Sequence, residues 1–329
     1  MDRVLLSNTL ADLGEPPYRS RQVWEWLARG ASTYAAMTNL PASLRAALAE
    51  RVPLSTLSTD REERSQDGTV KALLRTAQGN PVEAVMMRYR DGRRSLCLSS
   101  QSGCPLTCGF CATGRMRFAG NLSACEILDQ ALHFRRRWPL DHAVFMGMGE
   151  PMMNLDAVLE ACERLPDLGI ANSHTAISTV GWIPGIERLT ESGVPVRLAL
   201  SLHAPEDALR SELMPVNLRY PLADVLDACR AHHLRRRRAV FVEYVMLAGI
   251  NDRYEQALAL ARLLSPREAF KVNLIPYNPT DSPYAGSGRD AIAAFRSALE
   301  SRGVRVTVRL TRGRDIAAAC GQLAGTAVV

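Results

Sequence analysis

Short apolar runs alternate with helix-like stretches along most of this sequence, and that alternation restricts the fold more than any other feature. The apolar runs cover residues 95–99, 143–148, 175–179, 196–203, 240–246, 272–275 and 304–310. The stretches between them, with apolar residues three and four positions apart, cover residues 124–138, 155–165, 183–191, 222–233, 254–264 and 289–301. Repeated strand–helix units build a parallel sheet. We therefore predict an α/β fold with a full or partial (β/α) barrel.

The beginning of the chain follows a different pattern. Residues 20–29 and 40–51 have helical periodicity, whereas the polar run 58–67 suggests a loop or linker. Strands are expected at 83–89 and 94–99, separated by a turn at Asp91 and Gly92. The predicted domains are therefore a small helical unit at 1–57, a linker with a β-hairpin extension at 58–93, and a core at 94–329.

Composition excludes several classes of protein. The 329 residues are 47% hydrophobic and 22% charged, as in folded soluble proteins rather than disordered or fibrous ones. No apolar run approaches the roughly 18 residues of a membrane span, so a cytoplasmic location is expected. The net charge of +6 fits a polyanionic partner without requiring one. The arginine clusters are Arg88, Arg90, Arg93 and Arg94; Arg115 and Arg117; 135–137; 235–238; and Arg309, Arg312 and Arg314.

Three cysteines, Cys104, Cys108 and Cys111, lie on the loop that follows the predicted strand 95–99. A structural zinc ion or an ordinary electron-transfer cluster needs four ligands. No fourth cysteine or histidine has suitable spacing, because Cys97 falls inside the strand and Cys125 in the next helix. A zinc site with a distant fourth ligand and three unrelated core cysteines are the alternatives.

The spacing of these three cysteines resembles the Cys-x3-Cys-x2-Cys signature of the radical S-adenosylmethionine (radical SAM) superfamily. The resemblance implies a partial barrel of the radical SAM type. It also implies a 4Fe-4S cluster on three cysteines, with one iron open to the amino and carboxylate groups of S-adenosylmethionine.

Further motifs are similar to those of the RlmN-type methyltransferases. They lie at 147–151, 178–179, 201–205, 273–279 and 311–323, and the similarity extends from about residue 18 to residue 323. It implies methylation of carbon 2 of one adenine in large-subunit ribosomal RNA and of one adenine in the tRNA anticodon loop. The Cfr relatives, which methylate carbon 8, share these motifs. A metal-binding RNA-binding protein without catalysis is the alternative from another class.

The resemblance also assigns residues to the cofactor, and most of them directly follow predicted strands. Gly149 and Glu150 correspond to the positions that meet the methionyl amino group. Ser178 and residues 201–203, which are Ser201, Leu202 and His203, correspond to positions near the ribose and carboxylate. Asn278 corresponds to the position near the adenine. Ligand sites of barrels and open parallel sheets lie at these carboxyl ends of strands.

Three further residues carry the chemistry that the family implies. Cys320 would take a methyl group from one S-adenosylmethionine, and a radical from a second molecule would activate the resulting S-methylcysteine for addition to adenine. Cys97 would then release the RNA by forming a transient disulfide with Cys320. Glu83 corresponds to the proton acceptor of the family, although one extra residue separates it from Cys97. The other interpretation of Glu83 is a solvated carboxylate on a strand. The other interpretation of Cys97 is a small buried apolar side chain.

The same resemblance predicts the partners. They are ribosomal RNA and tRNA, with the helical unit 1–57 as an accessory RNA-binding domain, and an electron donor such as flavodoxin or ferredoxin. A monomer is expected. Cys125, Cys162 and Cys229 lie on helix-like segments and are interpreted as packing residues.

Overall fold

A computed structural model describes residues 1–325 and has an α/β fold. Within that part of the chain the α-helices are α1 (Arg3–Asp12), α2 (Tyr18–Ala28), α3 (Ala42–Arg51), α4 (Ala124–Arg135), α5 (Leu155–Arg164), α6 (Ile183–Glu191), α7 (Asp207–Leu213), α8 (Leu222–Arg236), α9 (Tyr254–Leu263) and α10 (Arg289–Glu300). The strands are β1 (Ser58–Arg64), β2 (Val70–Arg75), β3 (Pro81–Arg88), β4 (Arg94–Cys97), β5 (Gln101–Ser102), β6 (Gly120–Asn121), β7 (His142–Phe145), β8 (Thr175–Thr179), β9 (Arg197–Ser201), β10 (Val240–Met246), β11 (Phe270–Pro276) and β12 (Val306–Val308).

Ten of these strands form one sheet in the order β1-β2-β3-β4-β7-β8-β9-β10-β11-β12, and β5 pairs with β6 in a separate ribbon. The strands β1 to β4 pair antiparallel. From β4 through β7 to β12 every pairing is parallel, with at least one helix between successive strands. The described strands form a linear order rather than a closed ring, so the fold is a partial barrel, which confirms the predicted fold class.

Local sequence explains where the core elements begin and end. Every residue of β8 is buried, as expected for a central strand with a parallel partner on each side. Helix α4 begins with a capping box, in which the Ser123 side chain accepts from the Glu126 backbone and the Glu126 carboxylate accepts from Ser123. The predicted bounds of β8, β10 and α6 agree with the structure.

The interpretation of residues 58–67 as a loop was wrong, because most of this segment forms β1. This strand pairs antiparallel with β2 at the edge of the sheet. Its residues are exposed or half-buried and mostly charged. Charged side chains on an exposed edge discourage pairing with another chain, and they also remove the apolar alternation by which a strand is predicted. The hairpin region 58–93 therefore continues the main sheet.

The N-terminal helices pack on the same hydrophobic core as the sheet. Leu10 of α1, Leu27 of α2 and Leu48 of α3 are buried in the cluster that also contains core residues of the parallel strands. The segment after α3 is tied to α4, since the Thr56 backbone and hydroxyl donate to Asp129 Oδ2 at 2.6 and 2.7 Å. The division into domains remains a prediction, and residues 326–329 of the predicted core domain lie outside the described residues.

None of the helices between residues 1 and 325 combines the length and the apolar character needed to cross a membrane.

Candidate active site

A cavity opens at the carboxyl ends of the parallel strands β7 to β11, and most of the residues predicted from the sequence line it. We call it the main cavity. Its walls include Cys111, Gly149, Glu150, Ser178, Ser201, His203, Glu243, Asn278, Arg309 and Cys320. The sheet therefore brings together residues spread over more than half of the sequence.

A smaller cavity, which we call the side cavity, adjoins the main cavity. Its walls include Met87, Cys97, Met146, Asn278, Arg309, Arg312, Ala318, Cys320 and Leu323. Cys320, Asn278 and Arg309 line both cavities. The side chain of Cys320 therefore lies at the wall between them.

The cysteine loop turns sharply after the short strand β5. Gly103 has a φ of 74°, and a Cβ atom there would lie 2.3 Å from the carbonyl oxygen of Arg117, so only glycine fits. Within the loop the Cys111 backbone donates to the Cys108 carbonyl at 3.2 Å. The Ala112 backbone then donates to the Gly321 carbonyl at 2.8 Å, which ties the loop to the segment that carries Cys320.

Two thiols of this loop, those of Cys104 and Cys108, are in surroundings that disfavour a negative charge. Burial, together with the nearby Glu150 carboxylate and Cys111 thiol, raises the pKa of Cys104 to about 12. Burial and the thiols of Cys111 and Cys104 also raise the pKa of Cys108 well above its ordinary value. Because burial disfavours the thiolates of Cys104 and Cys108, the loop is suited to a positively charged group that compensates their charge.

The donor set fits a 4Fe-4S cluster better than a single metal ion. Among residues 1–325, no three cysteine, histidine, aspartate or glutamate side chains are close enough to ligate one ion. A cluster makes a different demand, because each of its cysteines binds a different iron atom. Cys104, Cys108 and Cys111 would hold such a cluster from one loop, and Cys111 faces the main cavity.

Glu150 is a buried carboxylate on the loop that follows β7. Its two oxygens accept hydrogen bonds from the backbone of Met152 and Val180, both at 3.0 Å. Burial nevertheless raises the pKa of Glu150 to about 7. The neighbouring Gly149 is required, since a Cβ atom there would lie 2.5 Å from Gln101. A cationic group in the cavity would restore the charge of the carboxylate, which fits the predicted contact with an ammonium group.

Three other polar side chains of the main cavity lie where a ligand can reach them. The hydroxyls of Ser178 and Ser201, on adjacent strands, are 3.3 Å apart. Asn278 Nδ2 donates to the Cys320 carbonyl at 3.1 Å, whereas its Oδ1 is buried and has no hydrogen-bond partner in the described residues. A buried acceptor without a protein donor can be satisfied by a ligand group or by an ordered water molecule.

His203 lines the main cavity in its neutral form. Its Nδ1 accepts a hydrogen bond from the Val245 backbone at 3.0 Å, and burial lowers its pKa to about 3. Its backbone has a φ of 61°, in the left-handed region. Leu202, in contrast, is fully buried and is not among the residues that line either cavity.

Arg210 is a functional candidate that sequence reasoning missed. It is fully buried, and no carboxylate of the described residues forms an ion pair with it. Its guanidinium donates to the carbonyls of Leu202 at 3.0 Å and Val180 at 2.6 Å, and to Asn217 Oδ1 at 2.6 Å. It thereby fixes the ends of β8 and β9, where Ser178 and Ser201 lie. The only sequence signal was an arginine on α7, a short helix that the periodicity did not indicate.

Cys97 and Cys320 both line the side cavity although they lie 223 positions apart in the sequence. Both thiols are free. Cys97 ends β4 and is 8% exposed. Burial, and secondarily the proximity of Cys320, raises the pKa of Cys97 to about 12. The structure therefore places these two predicted residues close together.

Glu83, the third predicted catalytic residue, lines neither cavity. It is 1% exposed on β3, and its Oε1 lies 3.1 Å from Lys71 Nζ. Its Oε2 accepts hydrogen bonds from the backbone of Ala324 at 2.8 Å and Gly325 at 3.0 Å. In this arrangement Glu83 holds the segment after Cys320 in place.

The fold and the cysteine loop define a radical SAM protein, and comparison with known families agrees. The model of the Radical SAM superfamily matches residues 98–261, and that of the ribosomal RNA large subunit methyltransferase N-terminal domain matches residues 1–54. The dual-specificity RNA methyltransferase RlmN of Anaeromyxobacter sp. is 44% identical over 97% of this chain and 88% of its own length. A probable RlmN of Rhodopirellula baltica is 46% identical over 97% of this chain and 88% of its own length. The chain belongs to the RlmN family of radical SAM RNA methyltransferases.

Solved structures agree with this assignment. A radical SAM methyltransferase from Sphaerobacter thermophilus has a TM-score of 0.93 and 42% identity, covering 99% of this chain and 98% of its own. The [FeFe]-hydrogenase maturase HydG shares the fold alone, with a TM-score of 0.51 and 12% identity over 66% of this chain and 50% of its own. The predicted family is confirmed, and with it come an RNA substrate, S-adenosylmethionine and a 4Fe-4S cluster as properties that the family implies.

Proposed function

We propose that this protein methylates carbon 2 of one adenine in large-subunit ribosomal RNA and of one adenine in the tRNA anticodon loop, with Cys320 as the methyl carrier. One observation carries the proposal: Cys320 lies at the wall between a cavity suited to S-adenosylmethionine and a cavity that contains a second thiol, Cys97. A methyl carrier that receives its methyl group from the main cavity and is attacked by Cys97 from the side cavity must lie between the two cavities.

Cys104, Cys108 and Cys111 would hold the 4Fe-4S cluster. When bound, the cluster supplies one electron to S-adenosylmethionine and so begins the radical chemistry. An external one-electron donor, such as flavodoxin or ferredoxin, would replace that electron. The side chain of Cys111 supports this arrangement because it shares the main cavity with Glu150.

The main cavity would bind S-adenosylmethionine through groups that lack a full set of partners. Glu150 would accept hydrogen bonds from the ammonium group, which favours its ionised form. Asn278 Oδ1, buried without a donor, would accept from the adenine amino group. Ser178 and Ser201 would contact the ribose and carboxylate. His203, locked as a neutral ring, would add no charge. We propose that two cofactor molecules are used in succession in each turnover.

Cys320 would carry the methyl group to the RNA, and Cys97 would release the methylated RNA. The Cys320 thiolate would take a methyl group to become S-methylcysteine. A radical derived from the second S-adenosylmethionine would then remove one hydrogen atom from that methyl group, and the resulting carbon radical would add to the adenine. Cys97 would then attack the Cys320 sulfur, so that the bond between sulfur and carbon breaks and a disulfide forms. Both residues line the side cavity, which supports this order of events.

Glu83 would accept the proton of the adenine carbon only after a local rearrangement. Its carboxylate is occupied by Lys71 and by the backbone of Ala324 and Gly325. We propose that this segment withdraws when RNA binds, because only then would the Glu83 carboxylate be free to accept a proton.

RNA would enter by a groove beside the side cavity. Its walls contain Tyr89, Arg90, Asp91, Arg93, Leu310, Thr311 and Arg312, and Asp91 accepts a hydrogen bond from Arg93 Nε at 2.7 Å. The guanidinium carbons of Arg93 and Arg312 lie 4.9 and 5.4 Å from the centre of the Tyr89 ring. Stacked aromatic and guanidinium groups suit unpaired bases, and the arginines suit the phosphates. The target adenine must leave its stack to reach Cys320, and the helical unit 1–57 would add contacts further along the RNA.

The test is mass mapping of RNA treated with the purified, anaerobically reconstituted protein. We expect 2-methyladenine in both RNA classes, whereas 8-methyladenine would instead assign the Cfr-type reaction. A colourless protein that binds RNA without modifying it would refute catalysis.

The matched variant is Cys320→Ala. We expect it to keep the brown iron–sulfur absorption and the reductive cleavage of S-adenosylmethionine, but to lose methyl transfer to RNA completely. Methylation at the unmutated rate would overturn the role of Cys320.

A further inference from the structure

We propose that the turn between β1 and β2 positions the methyl carrier, with Asp67 as the residue that holds the start of the segment leading to Cys320. We call residues 65–69 the hairpin turn and residues 312–320 the carrier segment. The inference deepens the proposed function and rests on it, since it concerns how Cys320 is kept at the wall between the two cavities. Both stretches lie outside residues 1–54 and 98–261, which the two family models match.

The hairpin turn has a fixed shape of its own. The Ser65 backbone donates to the Thr69 carbonyl at 2.9 Å, and the Gly68 backbone donates to the Ser65 carbonyl at 3.0 Å. Gly68 has a φ of 83°, in the left-handed region that glycine adopts without strain. Oδ1 of Asp67 accepts from the Thr69 backbone at 2.9 Å. The carboxylate of Asp67 is therefore oriented by its own turn, and its second oxygen is available to another segment.

That second oxygen holds the beginning of the carrier segment. Oδ2 of Asp67 accepts from the Gly313 backbone at 3.0 Å and lies 3.8 Å from Nη1 of Arg312. The two stretches are in direct contact here, since a Cβ atom on Gly313 would lie 2.8 Å from Cγ2 of Thr69. Gly313 also has a φ of 63°, so glycine is required at this contact.

A second carboxylate bridges the same two stretches in the opposite direction. Oδ1 of Asp315 accepts from the Ser65 hydroxyl at 2.6 Å, and its Oδ2 accepts from the Gln66 backbone at 3.2 Å. One bridge alone would let the carrier segment rotate about the contact. Two bridges, one from Asp67 and one from Asp315, fix both the distance and the orientation of the carrier segment relative to the hairpin turn.

The constraint reaches Cys320 through a compact turn of the carrier segment. The Ala318 backbone donates to the Gly313 carbonyl at 2.8 Å, so the residue that Asp67 holds also closes this turn. The side chain of Ala318 is buried in the apolar cluster that contains Cys97. Cys320 follows two positions later. Movement of Gly313 would therefore displace Ala318 and, with it, the Cys320 thiol.

The position of this thiol decides how fast it is methylated. Displacement at a methyl carbon needs the attacking sulfur in line with the bond that breaks, at a distance of about 3 to 3.5 Å. A misplacement of about 1 Å can slow such a step roughly a hundredfold. Residues 65–69 are not among the residues of the described chain that line the main cavity. We therefore expect the hairpin turn to affect the methylation of Cys320 and not the binding or reductive cleavage of S-adenosylmethionine.

The test follows the methylation of Cys320. Reconstituted holoenzyme would be mixed with S-adenosylmethionine that carries a deuterated methyl group, and the ratio of newly methylated to free Cys320 followed over time by peptide mass spectrometry. RNA is omitted, because loss of Asp67 would also free Arg312, which lines the groove proposed for RNA.

We expect Asp67→Ala to slow this methylation about tenfold at saturating S-adenosylmethionine, as for a displacement well below 1 Å. Asp67→Asn keeps one of the two acceptor oxygens, so its rate should lie between those of Asp67→Ala and the wild type.

Asp315→Ala is the second variant, since it removes the other bridge and leaves the hydrogen bonds within the hairpin turn intact. It should also slow the methylation of Cys320, and it decides the matter if Asp67→Ala does not fold. The matched control is Asp60→Ala on β1, where the carboxylate pairs with Arg75 at 2.8 Å on the surface. This control should methylate Cys320 at the wild-type rate.

Two further readouts separate positioning from general damage. Reductive cleavage of S-adenosylmethionine should keep the wild-type rate in Asp67→Ala and Asp315→Ala, whereas the amide hydrogens of residues 313–320 should exchange faster than in Asp60→Ala. Unchanged methylation of Cys320 in both variants, equal rates in Asp67→Asn and Asp67→Ala, or cleavage that falls by the same factor as methylation would overturn the proposal. Failure of the carrier role itself would show separately, as wild-type protein in which Cys320 carries no methyl group, deuterated or not.

Discussion

Glu150 should make the stability of the ligand-free protein depend on pH. Burial raises its pKa from 4.5 to about 7. The folded state therefore prefers the protonated carboxyl, and the unfolded chain ionises it first as the pH rises. Stability from this group is fully present below pH 4.5 and decreases as the pH rises to about 7. The full shift corresponds to about 3 kcal/mol, since one pKa unit is roughly 1.4 kcal/mol.

Glu150→Gln removes this dependence because an amide does not titrate. We expect the free energy of unfolding of the wild type, relative to Glu150→Gln, to fall by about 2 to 3 kcal/mol between pH 5 and pH 8. Urea denaturation of the cluster-free protein at both values measures it. Glu187→Gln, which changes an exposed carboxylate on α6, is the control for a lost surface charge. A difference between wild type and Glu150→Gln that stays constant with pH would refute the reasoning.

Two further predictions follow from the residues around Cys320. Cys97→Ala should trap the RNA as a covalent adduct on Cys320, visible as a shifted band in denaturing gels; normal turnover would remove the resolving role of Cys97. Glu83→Gln should weaken the charge-assisted hydrogen bonds to Ala324 and Gly325 by about 1 to 2 kcal/mol, since a neutral amide is the weaker acceptor. Their amide hydrogens should then exchange roughly ten times faster in hydrogen-exchange mass spectrometry, and unchanged exchange would contradict the contacts at Glu83.

The parallel strands could be predicted because each buried strand is a continuous run of apolar and β-branched residues in the sequence. A strand such as β8 lies in the centre of the parallel sheet and is buried along its whole length, so its limits in the sequence are sharp. The edge strand β1 was not predictable, because its side chains face solvent and carry charges. An exposed strand is held by hydrogen bonds between backbones. These bonds do not require apolar side chains, so the sequence carries little sign of the strand.

The candidate site was predictable where its residues share one short motif. The loop with Cys104, Cys108 and Cys111 is local, and its three-cysteine spacing is specific. Arg210 and Arg309 were not assigned to the site, because their partners are carbonyls and side chains brought near by the fold. The resemblance assigned Glu83 a catalytic role from its position in the sequence. Its contacts with Ala324 and Gly325 could not be predicted, because Ala324 lies 241 positions further along the chain.

The segment that bears Cys320 is fastened on both sides of the thiol. Lys71 donates to the Ala317 carbonyl before it, and Ala112 donates to the Gly321 carbonyl after it. Because this short span is anchored on both sides, the Cys320 sulfur can move only a small distance. The nucleobase must cover the remaining distance, so the ease with which an RNA loop releases its adenine becomes a criterion by which substrates are chosen.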